Sequence, residues 1–222
     1  MRFGSALLRF ARRRRGESGH TIVEMTVATA LLGVVTASAF GVVAVMQRNA
    51  MTATDRFTAQ SEGMTIADRI TKDLRTAVAP SSTQAAFAAA DVNDVTFYAA
   101  LSDPNGPTKL HAYTSLQSGT NVYVFHEDST KPDNGGSPGN YTYTTNATVS
   151  RLDGRYLDTS QPIFTYYDAD GNALAMPVVG NANLRSIDAV GVTLRIRVHP
   201  RSPVVVISTR IHVRNVDYNP DS

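Results

Sequence analysis

Asp168-x-Asp170-x-Asn172 sets three oxygen-bearing side chains at alternate positions, the way a calcium loop begins. An EF-hand loop also needs Gly at its sixth position and Glu at its twelfth. Ala173 and Val179 stand there instead. A β-turn built on Asp-Gly-Asn fits better, so Asp168, Asp170 and Asn172 are only a weak metal candidate. The five histidines (His20, His111, His126, His199, His212) are scattered, with no i, i+4 pair and no HExxH. His126-Glu127-Asp128 reads as a solvated strand edge. No Walker A or G-x-G-x-x-G pattern occurs. The absence of cysteine removes thiolate metal sites, cysteine nucleophiles and disulfides. These residues predict a chain that is not an enzyme and needs no cofactor.

One acid stands out by its position. Glu24 borders Met25–Met46, a run of 22 residues without a charge. As a helix the run spans roughly 33 Å, enough to cross a hydrocarbon core of about 30 Å. A carboxylate at mid-membrane costs about 2.5–3.5 kcal/mol on insertion scales, so it wants a partner. A position near the headgroups is the alternative, where Glu24 would simply favour the helix N-terminus. The run is longer than the roughly 7–15 apolar residues of a cleaved secretory signal. A plain single-pass anchor is a further reading.

The charge distribution sets the orientation. Residues 1–19 hold Arg2, Arg9, Arg12, Arg13, Arg14 and Arg15 against Glu17, a net of +5. The remaining 203 residues carry a net of −3, although the whole 222-residue chain is +2. The body therefore gives no electrostatic case for nucleic acid. The arginine side is expected in the cytoplasm and the C-terminal body outside it. Apolar residues at 42% and charged residues at 18% exclude disorder for most of the chain.

The helical pattern continues past the apolar run. Between Thr52 and Ala79 there is no proline and one glycine, Gly63. Phe57, Met64, Ala67, Ile70, Leu74 and Val78 make an apolar stripe that predicts packing against a sheet. The helix is expected from about His20 to Val78, with Pro80-Ser81-Ser82 ending it. Strands are then expected at Val92–Ala99, Lys109–Ser115, Asn121–Glu127, Tyr141–Val149, Ile163–Tyr167, Ile187–Val198 and Val204–Val213. The last two alternate most clearly, with His199–Pro203 as a hairpin loop. Thr130–Asn140 is rich in Pro, Gly and Asn and reads as a surface excursion. The fold class expected is α+β: a long N-terminal helix packed by its second half on an antiparallel β-sheet. The expected segments are a leader over 1–19, a transmembrane helix over 20–47, an amphipathic half over 48–79 and a β-rich domain over 80–222.

The arginine-rich leader, Gly19, His20-Thr21-Ile22-Val23-Glu24 and the apolar run together resemble the N-terminal signal of type IV prepilins and pseudopilins. The resemblance implies cleavage between Gly19 and His20 by a prepilin peptidase, N-methylation at His20, and an assembly role for Glu24. The family usually begins its mature chain with phenylalanine, where this sequence has His20. Major pilins often carry proline mid-span, where this sequence has Gly41. Residues Ile66–Arg75 and Pro162–Asn172 are similar to segments of minor subunits, J-type pseudopilins and PilW-like chains. The implied protein is a minor pilin or pseudopilin of a type IV pilus or type II secretion pseudopilus. Its implied partners are the peptidase, other pilin subunits, the inner-membrane assembly platform and membrane lipid. It would be a single-pass membrane protein with an extracytoplasmic domain that then joins a filament.

Overall fold

A computed structural model describes residues 21–101, 103–118, 122–133 and 140–213. The chain divides into two compact units, Met1–Asn49 and Ala50–Ser222.

Helix α1 spans Ile22–Arg75. Thr21 caps it, its Oγ1 accepting the backbone N–H of Glu24 at 3.2 Å, which satisfies one of the first-turn donors. Lys72 and Arg75 lie in the last turn, where cations favour the helix C-terminus. The helix stops short of the predicted Val78. Thr76 N–H and Ala77 N–H bond to the carbonyls of Asp73 and Leu74, three residues back, tightening the last turn. Val78 N–H then donates to Tyr98 O at 2.9 Å, and Ala100 N–H to Thr76 O at 2.9 Å. Pairing with the sheet therefore ends the helix before Pro80 is reached.

The second unit is built on one antiparallel sheet. Its strands are β1 (Phe87–Ala90), β2 (Asp94–Ala99), β3 (Thr108–Leu116), β4 (Tyr123–Thr130), β5 (Val149–Leu157), β6 (Phe164–Tyr167), β7 (Ala189–Ile196) and β8 (Val205–His212). Among the described residues the order is β1-β2-β3-β4-β5-β7-β6, with β8 on β7. Strands β2 to β5 form a meander. A single pair, Leu157↔Ile196, carries the sheet from β5 to β7. The β7–β8 hairpin pairs without a slip from Ala189↔His212 to Ile196↔Val205. A short helix α2 (Asn181–Arg185) follows β6. Asn181 ties it to the chain after α1, accepting from Ala85 N–H and donating to Thr83 O.

The C-terminal half of α1 packs on this sheet. Ala59, Gly63, Ile66, Ala67, Ile70 and Leu74 are buried, among Phe97, Leu110, Phe125, Phe164, Leu194 and Ile196. Two glycines let the surfaces approach. A Cβ at Gly63 would sit 2.5 Å from Ile207 Cδ1, and one at Gly154 would sit 2.5 Å from Ile66 Cδ1. The expected α+β architecture is therefore present, with α1 against an antiparallel sheet.

Several details differ from expectation. Phe57 is 75% exposed and Met64 is 49% exposed, so the buried stripe runs through Gly63 and Ile66 beside them. Tyr141–Val149 is not a strand, and β5 begins only at Val149. The carboxylate of Asp133 accepts from Thr142 Oγ1, Thr144 N–H, Thr144 Oγ1, Thr145 N–H and Asn146 N–H. These bonds fold the segment locally and take N–H groups that a ladder would need. They also hold the Asp133 carboxyl well below the usual carboxylate range. Strand β1 and helix α2 were not expected from the sequence.

Candidate functional site

The first turns of α1 collect the features the sequence singled out. Thr21-x-x-Glu24 has the spacing of a capping box, but only the Thr21 half is formed. Among the described residues the Glu24 carboxylate has no hydrogen bond or ion pair. Gly19 and His20, the expected cleavage and methylation positions, lie outside the described residues.

Beyond Glu24 the helix is apolar and bare. Every residue from Thr21 to Thr54 is exposed, including Leu32, Val34 and Phe40. Its best window has a mean hydropathy of 2.1, so α1 is long and apolar enough to cross a membrane. Apolar surface on this scale is a surface to be covered by lipid or protein.

The hydroxyls within the run are already satisfied. Thr26 Oγ1 donates to Ile22 O at 2.8 Å, Thr29 Oγ1 to Met25 O at 3.0 Å, Thr36 Oγ1 to Leu32 O at 2.7 Å and Ser38 Oγ to Val34 O at 2.8 Å. In hydrocarbon no water would replace these bonds, so the i−4 carbonyls serve instead. Glu24 is thus the polar group at the edge of the run that the helix itself leaves unanswered.

The sequence reading also passed over a second feature of this segment. Ala30, Gly33, Ala37, Gly41 and Ala44 recur at steps of three and four, on one helix face. Among the described residues, a Cβ placed at Gly33 or Gly41 would have nothing within 4 Å. Small residues at this spacing let helix backbones approach closely in a membrane. The spacing was visible in the sequence beneath the uniform hydropathy.

The other candidates resolve into structural roles. Asp168 Oδ1 accepts from Asn172 N–H at 2.8 Å, and Asn172 Nδ2 donates to Asp168 Oδ2 at 3.2 Å. Gly171 has φ of 84° in the same turn. The Asn172 backbone bond holds the Asp168 carboxyl below its ordinary range. This is the Asp-Gly-Asn turn, with its carboxylate spent on local N–H groups.

The reading of His126-Glu127-Asp128 as a solvated edge is overturned. Glu127 is 3% exposed, its Oε1 held by Arg69 at 3.1 Å and Arg151 at 2.7 Å. His126 stacks on Tyr113 with centroids 5.2 Å apart. The outward arginines act in cross-strand contacts: Arg197 pairs with Asp158 at 3.3 Å and Arg210 lies over the Tyr167 ring.

No protein-family model matches this chain, and no curated protein matches it.

Proposed function

We propose that the chain is a membrane-anchored filament subunit of the type IV pilin and pseudopilin class, in a minor role. One observation carries the reading: a Glu24 with no partner among the described residues heads a bare apolar helix whose other polar side chains, from Thr26 to Ser38, are satisfied internally. A helix that settles every hydroxyl yet keeps one free carboxylate at its end fits a partner supplied by another chain. Cleavage between Gly19 and His20 would supply that partner, a new α-amine four residues before Glu24. In an assembly, the amine of one protomer meets the Glu24 carboxylate of the previous one and sets the axial register. The stripe Ala30–Ala44 supports the close helix packing such a bundle needs.

On this reading the arginine-rich leader stays in the cytoplasm, residues Met25–Met46 cross the membrane and the β-rich unit lies outside. A prepilin peptidase removes residues 1–19 and methylates the amine of His20. Assembly platform proteins then move the helix from lipid into a bundle of like helices. The chain itself performs no catalysis.

Mass spectrometry of the protein from cells with a working prepilin peptidase tests this. The expected N-terminus is His20, carrying one added methyl group. A chain that retains Met1–Gly19 in those cells is instead a single-pass anchored extracytoplasmic domain that does not polymerise.

A further inference from the structure

Asp73, Glu127 and Asp153 bring three carboxylates together where the end of α1 meets β4 and β5. Asp73 is 1% exposed and Glu127 is 3% exposed. Two guanidinium groups reach them from the rim. Arg69 Nε lies 2.9 Å from Asp73 Oδ2, and Arg69 Nη2 lies 3.1 Å from Glu127 Oε1. Arg151 Nη2 lies 2.7 Å from Glu127 Oε1, and Arg151 Nε lies 2.6 Å from Asp153 Oδ1. Three acids against two bases leave one negative charge over, if all are ionised.

The hydrogen bonding points to the same imbalance. Arg69 Nε is close to Asp73 but off the line a hydrogen bond needs. Both Asp73 oxygens, Glu127 Oε2 and Asp153 Oδ2 are buried without a hydrogen bond to another described residue. Asp73 Oδ2 and Glu127 Oε1 lie side by side on the Nε and Nη2 edge of one guanidinium, that of Arg69. Two ionised carboxylates are both acceptors and cannot satisfy one another. One proton turns one of them into a donor, removes the surplus charge and makes a carboxyl–carboxylate bond, the arrangement expected when like charges share a dry site.

We propose that the Asp73 carboxyl keeps its proton and donates it to the Glu127 carboxylate, and that this bond clasps the end of α1 to β4 and β5, so that the helix–sheet joint tightens in acid and loosens in alkali. Burial, followed by the Glu127 bond and charge, pushes Asp73 up to about 7. Burial also raises Asp153. The groups facing the pair are Arg69 on α1 and Arg151 and Asp153 on β5. Glu62 on α1 bonds to Arg155 N–H at the far end of the same strand. Asp128 belongs to the opposite face of β4, opposite His111.

The sign follows from proton counting. Between the ordinary aspartate range and the raised value, the folded chain binds a proton that the unfolded chain has released. Stability therefore falls as pH rises through that window and levels off above it. The clasp stands independently of any filament role, because it lies wholly within the Ala50–Ser222 unit.

The test is thermal unfolding of the full chain in detergent micelles, from about pH 5.5 to about pH 8.5. Wild type is expected to lose at least about 4 °C in Tm across that range. Asp73→Asn mimics the protonated acid, because its amide donates where the proton did. It should match wild type at the acid end and lose much less at the alkaline end. His111–Asp94, His199–Asp55 and His212–Asp188 remain in the variant, so the difference in slope isolates the carboxyl pair. An unchanged slope in Asp73→Asn overturns the proposal. So does a Tm at the alkaline end that rises with added sodium or calcium chloride but not with choline chloride, which assigns the site to a metal cation. Infrared spectroscopy gives a readout that does not depend on unfolding. A protonated-carboxyl band near neutral pH that Asp73→Asn abolishes supports the Asp73 proton, and its absence from wild type refutes it.

Discussion

The two halves of α1 solve opposite problems with the same secondary structure. From Met25 to Met46 there is no charge and every residue is exposed. From Ala59 to Leu74 a buried stripe of Ile66, Ile70 and Leu74 meets the sheet, flanked by Arg69 and Asp73. The first half bonds its hydroxyls to its own backbone, as at Thr36 and Ser38. The second half reaches out to Glu127 and to Arg155 N–H. Helix formation alone therefore does not decide what an apolar face is for. A face with charges beside it is matched within the chain, and a face without them is left for lipid or another molecule.

The largest expected effect breaks the first half. Glu24→Val should reduce incorporation into sheared filaments by well over tenfold, a factor equivalent to about 1.4 kcal/mol, while the melting of the β-rich unit stays unchanged. Equal incorporation would remove the need for a counter-charge.

On the second half, Ile70→Ala empties a fully buried site and should cost about 2–5 kcal/mol in urea unfolding of the full chain in micelles. Val34→Ala, on the bare half, should leave the same transition within about 0.5 kcal/mol. Gly63→Val sharpens the contrast. Its side chain would strike Ile207 and Ile196, at a cost of about 1–3 kcal/mol, whereas a Cβ at Gly41 meets nothing within 4 Å among the described residues. Thr21→Ala, which deletes the cap, should weaken the first turn by about 1 kcal/mol, read as faster amide exchange at Glu24.

The smallest effect lies in the loop that displaced an expected strand. Asp133 is held below the usual carboxylate range, chiefly by the Thr142 hydroxyl. Its contribution is present above the ordinary aspartate value and fades as pH falls through the lowered one. Asp133→Asn should speed amide exchange at Thr144, Thr145 and Asn146 at neutral pH, with little change in overall Tm.

How much the sequence disclosed depends on where the deciding partner sits. The β7–β8 hairpin was legible because alternation is local, and Val190, Val192, Leu194 and Ile196 are all buried as it implied. Glu24 was legible because a charge beside 22 uncharged residues is conspicuous. The buried stripe was drawn too close to Phe57 and Met64, because Gly63 owes its place to Ile207, far along the chain. Strand β1, Phe-Ala-Ala-Ala, follows its phenylalanine with three alanines, a residue depleted in strands, and owes its state to pairing with β2. Tyr141–Val149 alternates well enough to read as a strand until Asp133 claims its N–H groups. The burial of Glu127 was hidden for the same reason, since its counter-ions lie at Arg69 and Arg151.

The central claim is that the bare half of α1 is covered by helices of other subunits once the chain is assembled. A photo-crosslinking amino acid at Val34 tests it most directly, with adducts compared between membranes and sheared filaments. The account predicts lipid adducts in membranes and adducts to a neighbouring subunit's helix in filaments. Lipid adducts alone, with no chain recovered in any sheared fraction, would contradict it.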